Sequence, residues 1–237
     1  MRVEVLERAA GRSGELVLRR SGDDLEVIAG GTFLISSANA DSSRALVIAG
    51  LPYLRDAGAG AIVGAEPPGA CLEVLIGGLG LGYALDEALS ERRVERVTAV
   101  EYEPLIVDWF RDHGQGRAER LAAGEAAGRA RVVVADVADV MRDNPAAFDL
   151  VALDTDNGPD WLVREANAGL YDEAGIGLAH ACLRPGGVAV FWSPERYDWF
   201  AARLATVFSH VHEVAAHDLV GGRRHEYTMY VAVRTVD

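Results

Sequence analysis

The clearest indication of the fold is the stretch Leu75-Ile76-Gly77-Gly78-Leu79-Gly80-Leu81-Gly82-Tyr83. An apolar run at 72–76 leads into it, and a helical pattern follows over 81–90. Glycines in such a loop let the chain turn tightly and let its backbone approach a nucleoside or phosphate closely. The last three glycines fit G-x-G-x-G and not the dinucleotide pattern G-x-G-x-x-G. The stretch therefore predicts a strand, a loop and a helix that together bind a nucleoside.

Acidic residues follow the next two predicted strands. Glu101 ends the run 97–101, nineteen residues after Gly82, and Asp136 follows the run 132–135. Ligands of open α/β sheets bind at the carboxyl ends of parallel strands, where a carboxylate can accept hydrogen bonds from both ribose hydroxyls. A glycine loop and then two acids at the ends of successive strands favour a nucleoside site. A role for both acids as solvated helix N-caps is the alternative.

Apolar runs alternate with helical patterns through the middle of the chain. Strands are predicted at 72–76, 97–100, 132–134, 150–153 and 188–191, and helices at 81–90, 104–112, 137–143 and 172–183, the last stopped by Arg184-Pro185-Gly186-Gly187. This alternation predicts an α/β fold with a doubly wound, Rossmann-like sheet whose central strands are parallel. A helix at 197–208 and an antiparallel strand pair at 211–214 and 227–233 complete the prediction.

The beginning of the chain has a different pattern. Short apolar runs at 3–6, 15–18 and 25–28 are separated by turn residues, which is typical of an antiparallel β-meander. We assign the meander to 1–40 and the Rossmann-like domain to 41–237. A helix is expected at 42–54 with Asp41 or Ser42 as its N-cap. The meander is too small to be stable alone, so it should pack on the sheet domain or pair across a homodimer.

Composition excludes several functions. All 23 basic residues are Arg and the net charge is −13. Without Lys there is no Schiff base and no P-loop lysine, and an acidic chain without basic runs predicts no nucleic-acid or membrane partner. No segment has the length and hydropathy of a membrane span or signal peptide. Cys71 and Cys182 are expected to be inert core residues in a cytoplasmic protein.

With these motifs the chain resembles the class I S-adenosylmethionine-binding fold and, within it, the spermidine synthase (aminopropyltransferase) family. The motifs are LIGGLGLG at 75–82, VEYEP at 100–104, ADV at 135–137, FDLVALDTDNGP at 148–159 and LRPGG at 183–187. The resemblance implies the seven-stranded sheet of the class I methyltransferases after a short β-meander. It also implies S-adenosylmethionine or its decarboxylated form as the donor, and a small-molecule acceptor.

The resemblance implies roles for individual residues. Gly77, Gly78, Gly80 and Gly82 would line the methionine end of the donor, Glu101 would hold its ribose, and Asp136 its adenine amine. Asp154 would take the proton of the acceptor amine.

The residues support a role for Asp154 independently. It follows the run 150–153 at the same sheet edge as the glycine loop, and a carboxylate there can accept a proton and orient an amine. Asp156 and Asn157 would hold a second polar end of the acceptor. The alternative is that Asp154 and Asp156 cap the turn DNGP.

The chain departs from the family at the substrate-binding positions. The family loop G-G-G-D-G has an aspartate for the donor amine, whereas 77–81 contains no acid. Leu34 stands where the family has a donor-contacting glutamine, and Ser42-Ser43-Arg44 where it has Tyr-His-Glu. A loop of bare N–H groups, or Arg44, favours a donor that keeps its carboxylate, which is ordinary S-adenosylmethionine.

Other hypotheses remain open on the residues alone. Asp154, Asp156 and Asn157 are oxygen ligands of the kind that metal-dependent O-methyltransferases use for Mg²⁺, but no companion motif follows, so we expect no metal. The missing family acids also suit a non-catalytic nucleoside-binding homologue. Aromatic residues could wall an apolar acceptor pocket, and they are Trp161, Trp192, Trp199, Tyr171 and Tyr197.

Overall fold

The structure is a computed structural model that describes residues 3–54, 71–155, 158–160, 165–220 and 222–236, with the backbone alone at 165 and 166. Within these ranges it contains two sheets. The smaller has four antiparallel strands in the order β1-β2-β3-β4, which are β1 (Val3–Gly11), β2 (Gly14–Ser21), β3 (Asp24–Ala29) and β4 (Thr32–Ser36). The meander therefore has one strand more than its three apolar runs predict.

The larger sheet confirms the predicted α/β, Rossmann-like architecture. Its seven described strands follow the order β10-β11-β9-β8-β5-β6-β7. They are β5 (Leu72–Gly77), β6 (Val94–Glu101), β7 (Ala130–Val134), β8 (Phe148–Leu153), β9 (Leu183–Ser193), β10 (His210–Val220) and β11 (Arg223–Val233). β7, β6, β5, β8 and β9 are parallel neighbours, and β11 pairs antiparallel with both β9 and β10. The chain order reverses between β5 and β8, where ligands of such sheets bind.

Helices cover both faces of this sheet. They are α1 (Ala40–Gly50), α2 (Tyr83–Ser90), α3 (Pro104–His113), α4 (Gly116–Ala126), α5 (Val137–Asp143), α6 (Glu173–Cys182) and α7 (Asp198–Leu204). Two buried apolar clusters separate them from the sheet. One contains Leu46, Ile76 and Phe110, and the other contains Val151, Phe191 and Phe200.

The N-terminal sheet packs on α3. Trp109 of α3 is buried in one apolar cluster with Leu16, Leu18 and Val27, and its indole Nε1 donates to Glu7 at 2.8 Å. The Glu103 carboxylate accepts the backbone N–H groups of Arg12 and Ser13. The meander thus packs on the sheet domain, as one of the two predicted arrangements requires.

Several local predictions are wrong. α1 begins at Ala40 after Asn39, so neither Asp41 nor Ser42 is its N-cap. Arg184-Pro185-Gly186-Gly187 follows the predicted helix end but lies within strand β9 and not in a turn. Cys71 is exposed because it precedes the first residue of β5, whereas Cys182 is buried as predicted. β7, predicted as a central strand, is an edge strand with Val134 41% exposed.

Candidate functional site

The glycine loop lies against the end of β8. Gly78 has φ +95°, and its N–H donates to the Val100 carbonyl at 2.8 Å. A Cβ at Gly78 would lie 2.1 Å from the carbonyl oxygen of Asp154. The Asp154 N–H in turn donates to the Gly77 carbonyl at 2.8 Å. Glycine at 78 is therefore required by its φ angle and by the close approach of Asp154.

Glu101 ends β6 beneath the loop and is 7% exposed. Its Oε2 accepts the backbone N–H groups of Leu79 at 3.0 Å and Gly80 at 3.5 Å, and its Oε1 accepts that of Glu103 at 3.0 Å. Burial raises the pKa of this carboxyl above its usual range, and the N–H groups oppose the rise. Each carboxylate oxygen has two lone pairs, and three of the four accept these N–H groups, so Oε1 keeps one lone pair for a ligand hydroxyl.

Asp136 is a helix N-cap, the alternative role considered for it, and its contact with the adenine stays a prediction. It is the N-cap of α5, and its Oδ1 accepts the Ala138 N–H at 3.0 Å. The same residue lines the cavity above the strand ends. Capping fixes the carboxylate at the sheet edge, so the helix-cap hypothesis and a ligand contact are compatible at this position.

Asp154 follows β8 and is partly buried. The Ser43 hydroxyl of α1 donates to its Oδ2 at 3.2 Å. Desolvation and, to a smaller extent, the nearby carboxylates of Asp218 and Glu101 together raise the pKa of Asp154 to about 6, against the lowering effect of the Ser43 hydrogen bond. A carboxylate with this pKa is ionised near neutral pH and accepts a proton more readily than an ordinary aspartate.

Asp218 on β10 is a further buried acid near the site, and no local sequence pattern indicates it. It is 1% exposed, and its Oδ1 accepts the N–H groups of Asp41 at 2.8 Å and Ser42 at 3.0 Å. Its Oδ2 is buried without a hydrogen-bond partner among the described residues. Asp218 therefore supplies the side-chain cap that Asn39 does not give to α1.

One cavity joins these groups. Its volume is about 1100 Å³, including the part open to solvent, and its walls come from both sheets. Gly78, Gly80, Glu101, Asp136 and Asp154 line it together with Trp192. The N-terminal sheet adds an apolar wall of Phe33, Leu34 and Ile35, and α1 adds Ser42 and Ser43. This mixture of apolar and polar groups suits a small-molecule ligand.

Other predicted site residues lie elsewhere. Gly77 and Gly82 flank the cavity without lining it, and Asp156 and Asn157 are outside the described residues. Arg44 is not on the cavity wall: its guanidinium bonds Asp41 at 3.3 Å and lies 4.9 Å from the ring centroid of Tyr83. Among the predicted aromatic residues, Trp192 lines the cavity and Tyr171 is buried in the core, while Trp161 is outside the described part.

A second arginine lies beside the glycine loop. The Arg117 Nε donates to the Leu81 carbonyl at 2.9 Å, and its guanidinium lies 4.1 Å from the Tyr83 ring centroid. Tyr83 itself lines the cavity. Two guanidinium groups thus share one tyrosine next to a loop that carries no acidic side chain.

The described residues contain no group of three or more His, Cys, Asp or Glu side chains arranged to hold a metal ion. In the same ranges, no helix has both the length and the hydropathy needed to cross a bilayer.

Comparison with known proteins supports the resemblance to spermidine synthases. No family model matches the chain. The polyamine aminopropyltransferase 2 of Pseudomonas aeruginosa is 31% identical over 159 residues, which are 61% of this chain and 42% of that protein. This chain therefore matches less than half the length of that relative.

Solved structures confirm the fold. A spermidine synthase in complex with the transition-state analogue AdoDATO has a TM-score of 0.74 at 18% identity, covering 98% of this chain and 74% of the other. The Thermotoga maritima spermidine synthase has a TM-score of 0.72 at 19% identity, with the same coverage of 98% and 74%. A probable spermidine synthase from Corynebacterium glutamicum has a TM-score of 0.64 at 16% identity and covers 97% and 80%. The chain has a spermidine-synthase-like, Rossmann-like fold.

Proposed function

We propose that this protein transfers an alkyl group from an S-adenosylmethionine-type donor to a nitrogen of a small amine acceptor. Transfer of the aminopropyl group of decarboxylated S-adenosylmethionine, as in polyamine synthesis, is the first candidate because the relatives are aminopropyltransferases. One observation carries the proposal. The tips of four strands, β5, β6, β7 and β8, bring a glycine loop, Glu101, Asp136 and Asp154 to a single cavity.

The donor would lie along these tips in the order of the strands. Glu101 Oε1 would accept a hydrogen bond from a ribose hydroxyl, Asp136 would accept one from the adenine amino group, and the loop at 78–81 would receive the sulfonium end. The hydrogen bonds from Leu79 and Gly80 hold Glu101 in place before a ligand arrives. A site arranged in advance loses less entropy when the donor binds.

Asp154 would act on the acceptor. Alkyl transfer needs a neutral amine in line with the leaving sulfur. When the nitrogen takes the alkyl group, the electrons of the broken carbon–sulfur bond stay on sulfur and the nitrogen loses a proton. The Asp154 carboxylate accepts that proton, and its pKa of about 6 suits this role near neutral pH.

Methyl transfer from ordinary S-adenosylmethionine is the second candidate. The glycine loop offers no carboxylate to a donor amine, and Arg117 bonds the loop at Leu81. Arg117 forms no salt bridge with an acidic side chain in the described part of the chain. Arg117, like Arg44, is not on the cavity wall, but its positive charge lies beside the loop and there favours a donor that keeps its carboxylate.

The released nucleoside tests the proposal and separates the candidates. The protein is incubated with each donor and a panel of small amines, and the products are analysed by mass spectrometry. Methylthioadenosine reports aminopropyl transfer, and S-adenosylhomocysteine reports methyl transfer. We expect one of them from the wild type and at least a 100-fold lower rate from Asp154→Asn. Donor binding without either product would favour a non-catalytic homologue.

The cytoplasmic location and the homodimer stay predictions.

A further inference from the structure

Asp218 and Asp154 are joined through the first turn of α1. Asp218 Oδ1 accepts the N–H groups of Asp41 and Ser42, and the next residue, Ser43, donates its hydroxyl to Asp154 Oδ2 at 3.2 Å. The chain of contacts thus runs from the edge strand β10, through α1, to the end of β8. Asp218 is far from the glycine loop, Glu101 and Asp136 in sequence, and it is not on the cavity wall.

We propose that Asp218 is a positioning residue for Asp154, which it serves by fixing the helix turn that presents the Ser43 hydroxyl. This inference rests on the proposed role of Asp154 as the proton acceptor. It extends that role to a residue outside the cavity wall.

The burial of Asp218 supports a role beyond helix capping. Burying a carboxylate oxygen without a hydrogen-bond partner costs folding free energy. A residue that only capped α1 would not need to bear this cost. Serine, threonine or asparagine would cap the two N–H groups without burying a charge. At Asp218, however, the second oxygen is buried without a partner in the described part of the protein.

The unpartnered oxygen has an electrostatic consequence for Asp154. Asp218 and Glu101 disfavour the ionised form of Asp154, and the Ser43 hydroxyl favours it. Other ionisable groups near Asp218 include Tyr227 on β11, whose pKa Asp218 helps to raise, its cross-strand neighbour His225, and Asp41, whose N–H it accepts. Asp218 therefore acts on Asp154 in two opposite ways, by its charge and through Ser43.

Two substitutions separate these effects. Asp218→Asn keeps an oxygen for the N–H groups of Asp41 and Ser42 but removes the charge. Asp218→Ala removes both the oxygen and the charge. If the alanine variant does not fold, Asp218→Leu is used in its place, because leucine also has no side-chain oxygen and fills more of the buried volume. Asp41→Asn is the matched control, because it removes an exposed carboxylate from the same end of α1.

The measurement is the titration of the Asp154 carboxyl, followed by NMR of protein labelled with ¹³C at the aspartate carboxyl carbons. The signal is assigned by its loss in Asp154→Asn. We expect Asp218→Asn to lower the midpoint by about 0.5 unit or more, and Asp41→Asn by less than about 0.2 unit. The midpoint of Asp218→Ala should lie above that of Asp218→Asn, because Ser43 is no longer held.

Ser43→Ala is then introduced into the wild type, Asp218→Asn and Asp218→Ala, and the Asp154 titration is repeated. The substitution should raise the midpoint in the wild type and in Asp218→Asn, and have a much smaller effect in Asp218→Ala. Equal effects of Ser43→Ala in all three backgrounds would overturn the proposal, as would an unchanged midpoint in both Asp218 variants. The titration needs no turnover, so its outcome is independent of whether the protein is a transferase.

Discussion

Glu101 Oε2 accepts the backbone N–H of Leu79 at 3.0 Å. This bond joins the end of β6 to the loop that follows β5, and it pairs the buried carboxylate with backbone donors of the glycine loop. The acid that the sequence assigns to a ligand therefore also shapes the loop in the unliganded protein. Under the proposed function, a carboxylate placed in this way is positioned for a ribose hydroxyl before the donor binds.

Glu101→Gln should separate ligand binding from folding. Burial raises the pKa of Glu101, so its charge lowers the stability of the folded state at neutral pH. The amide oxygen of Gln can still accept the loop N–H groups, but its NH2 group then faces the Glu103 N–H that Oε1 accepts in the wild type. The loss of the buried charge offsets this cost, so the variant should melt near the wild-type temperature at pH 7. Donor affinity, measured by calorimetry, should fall about 10-fold or more because a charge-assisted hydrogen bond is lost. Undiminished affinity would show that Glu101 does not contact the donor.

Gly78→Ala and Gly80→Ala form a matched pair. Both glycines have positive φ, but a Cβ at Gly78 meets the Asp154 carbonyl at 2.1 Å, whereas the nearest atom to one at Gly80 is 3.8 Å away. We expect denaturant unfolding to give a loss of about 3 kcal/mol or more for Gly78→Ala and about 1 kcal/mol for Gly80→Ala. Equal losses would mean that the loop does not press against Asp154.

Asp154→Asn should change how stability depends on pH. The folded-state pKa of about 6 lies above the ordinary value of 3.8, so ionisation costs folding free energy as pH rises between these values. The cost is absent below about pH 4 and complete above about pH 6. Relative to the wild type, the free energy of unfolding of the variant should therefore be higher at pH 8 than at pH 4. The difference should be on the order of 2 kcal/mol, allowing for partial exposure. A difference that does not vary with pH would contradict the raised pKa.

Trp109 should attach the N-terminal sheet to the larger domain. It is 3% exposed, packs with Leu16 and Leu18, and donates to Glu7. Trp109→Ala should lower the free energy of unfolding by about 3–5 kcal/mol, and Trp109→Phe, which keeps much of the packing, by about 1–2 kcal/mol. Limited proteolysis of Trp109→Ala should release the meander first. If both variants unfold like the wild type, the meander does not depend on this contact.

The sequence predicts the Rossmann-like half well because its signals are local. The apolar runs of β5, β6 and β8 are followed directly by Gly77, Glu101 and Asp154, so each tip can be placed at the sheet edge from its strand alone. α5 matches the predicted 137–143 for the same reason, since Asp136 stands at its start as an N-cap.

The features that the sequence misses depend on distant contacts or weak patterns. α4 buries only Leu121 and Gly124 among its residues, so it has no apolar stripe to indicate a helix. Asp218 meets Asp41 across 177 residues of sequence, and no local pattern indicates that contact.

Binding of the donor nucleoside is the decisive measurement for the proposed site. The protein is titrated in a calorimeter with methylthioadenosine, S-adenosylmethionine and decarboxylated S-adenosylmethionine, with Glu101→Ala as the control. We expect the wild type to bind methylthioadenosine and at least one donor, and Glu101→Ala to bind them at least about 10-fold more weakly. Failure of the folded wild type to bind any of the three compounds would contradict the proposed site.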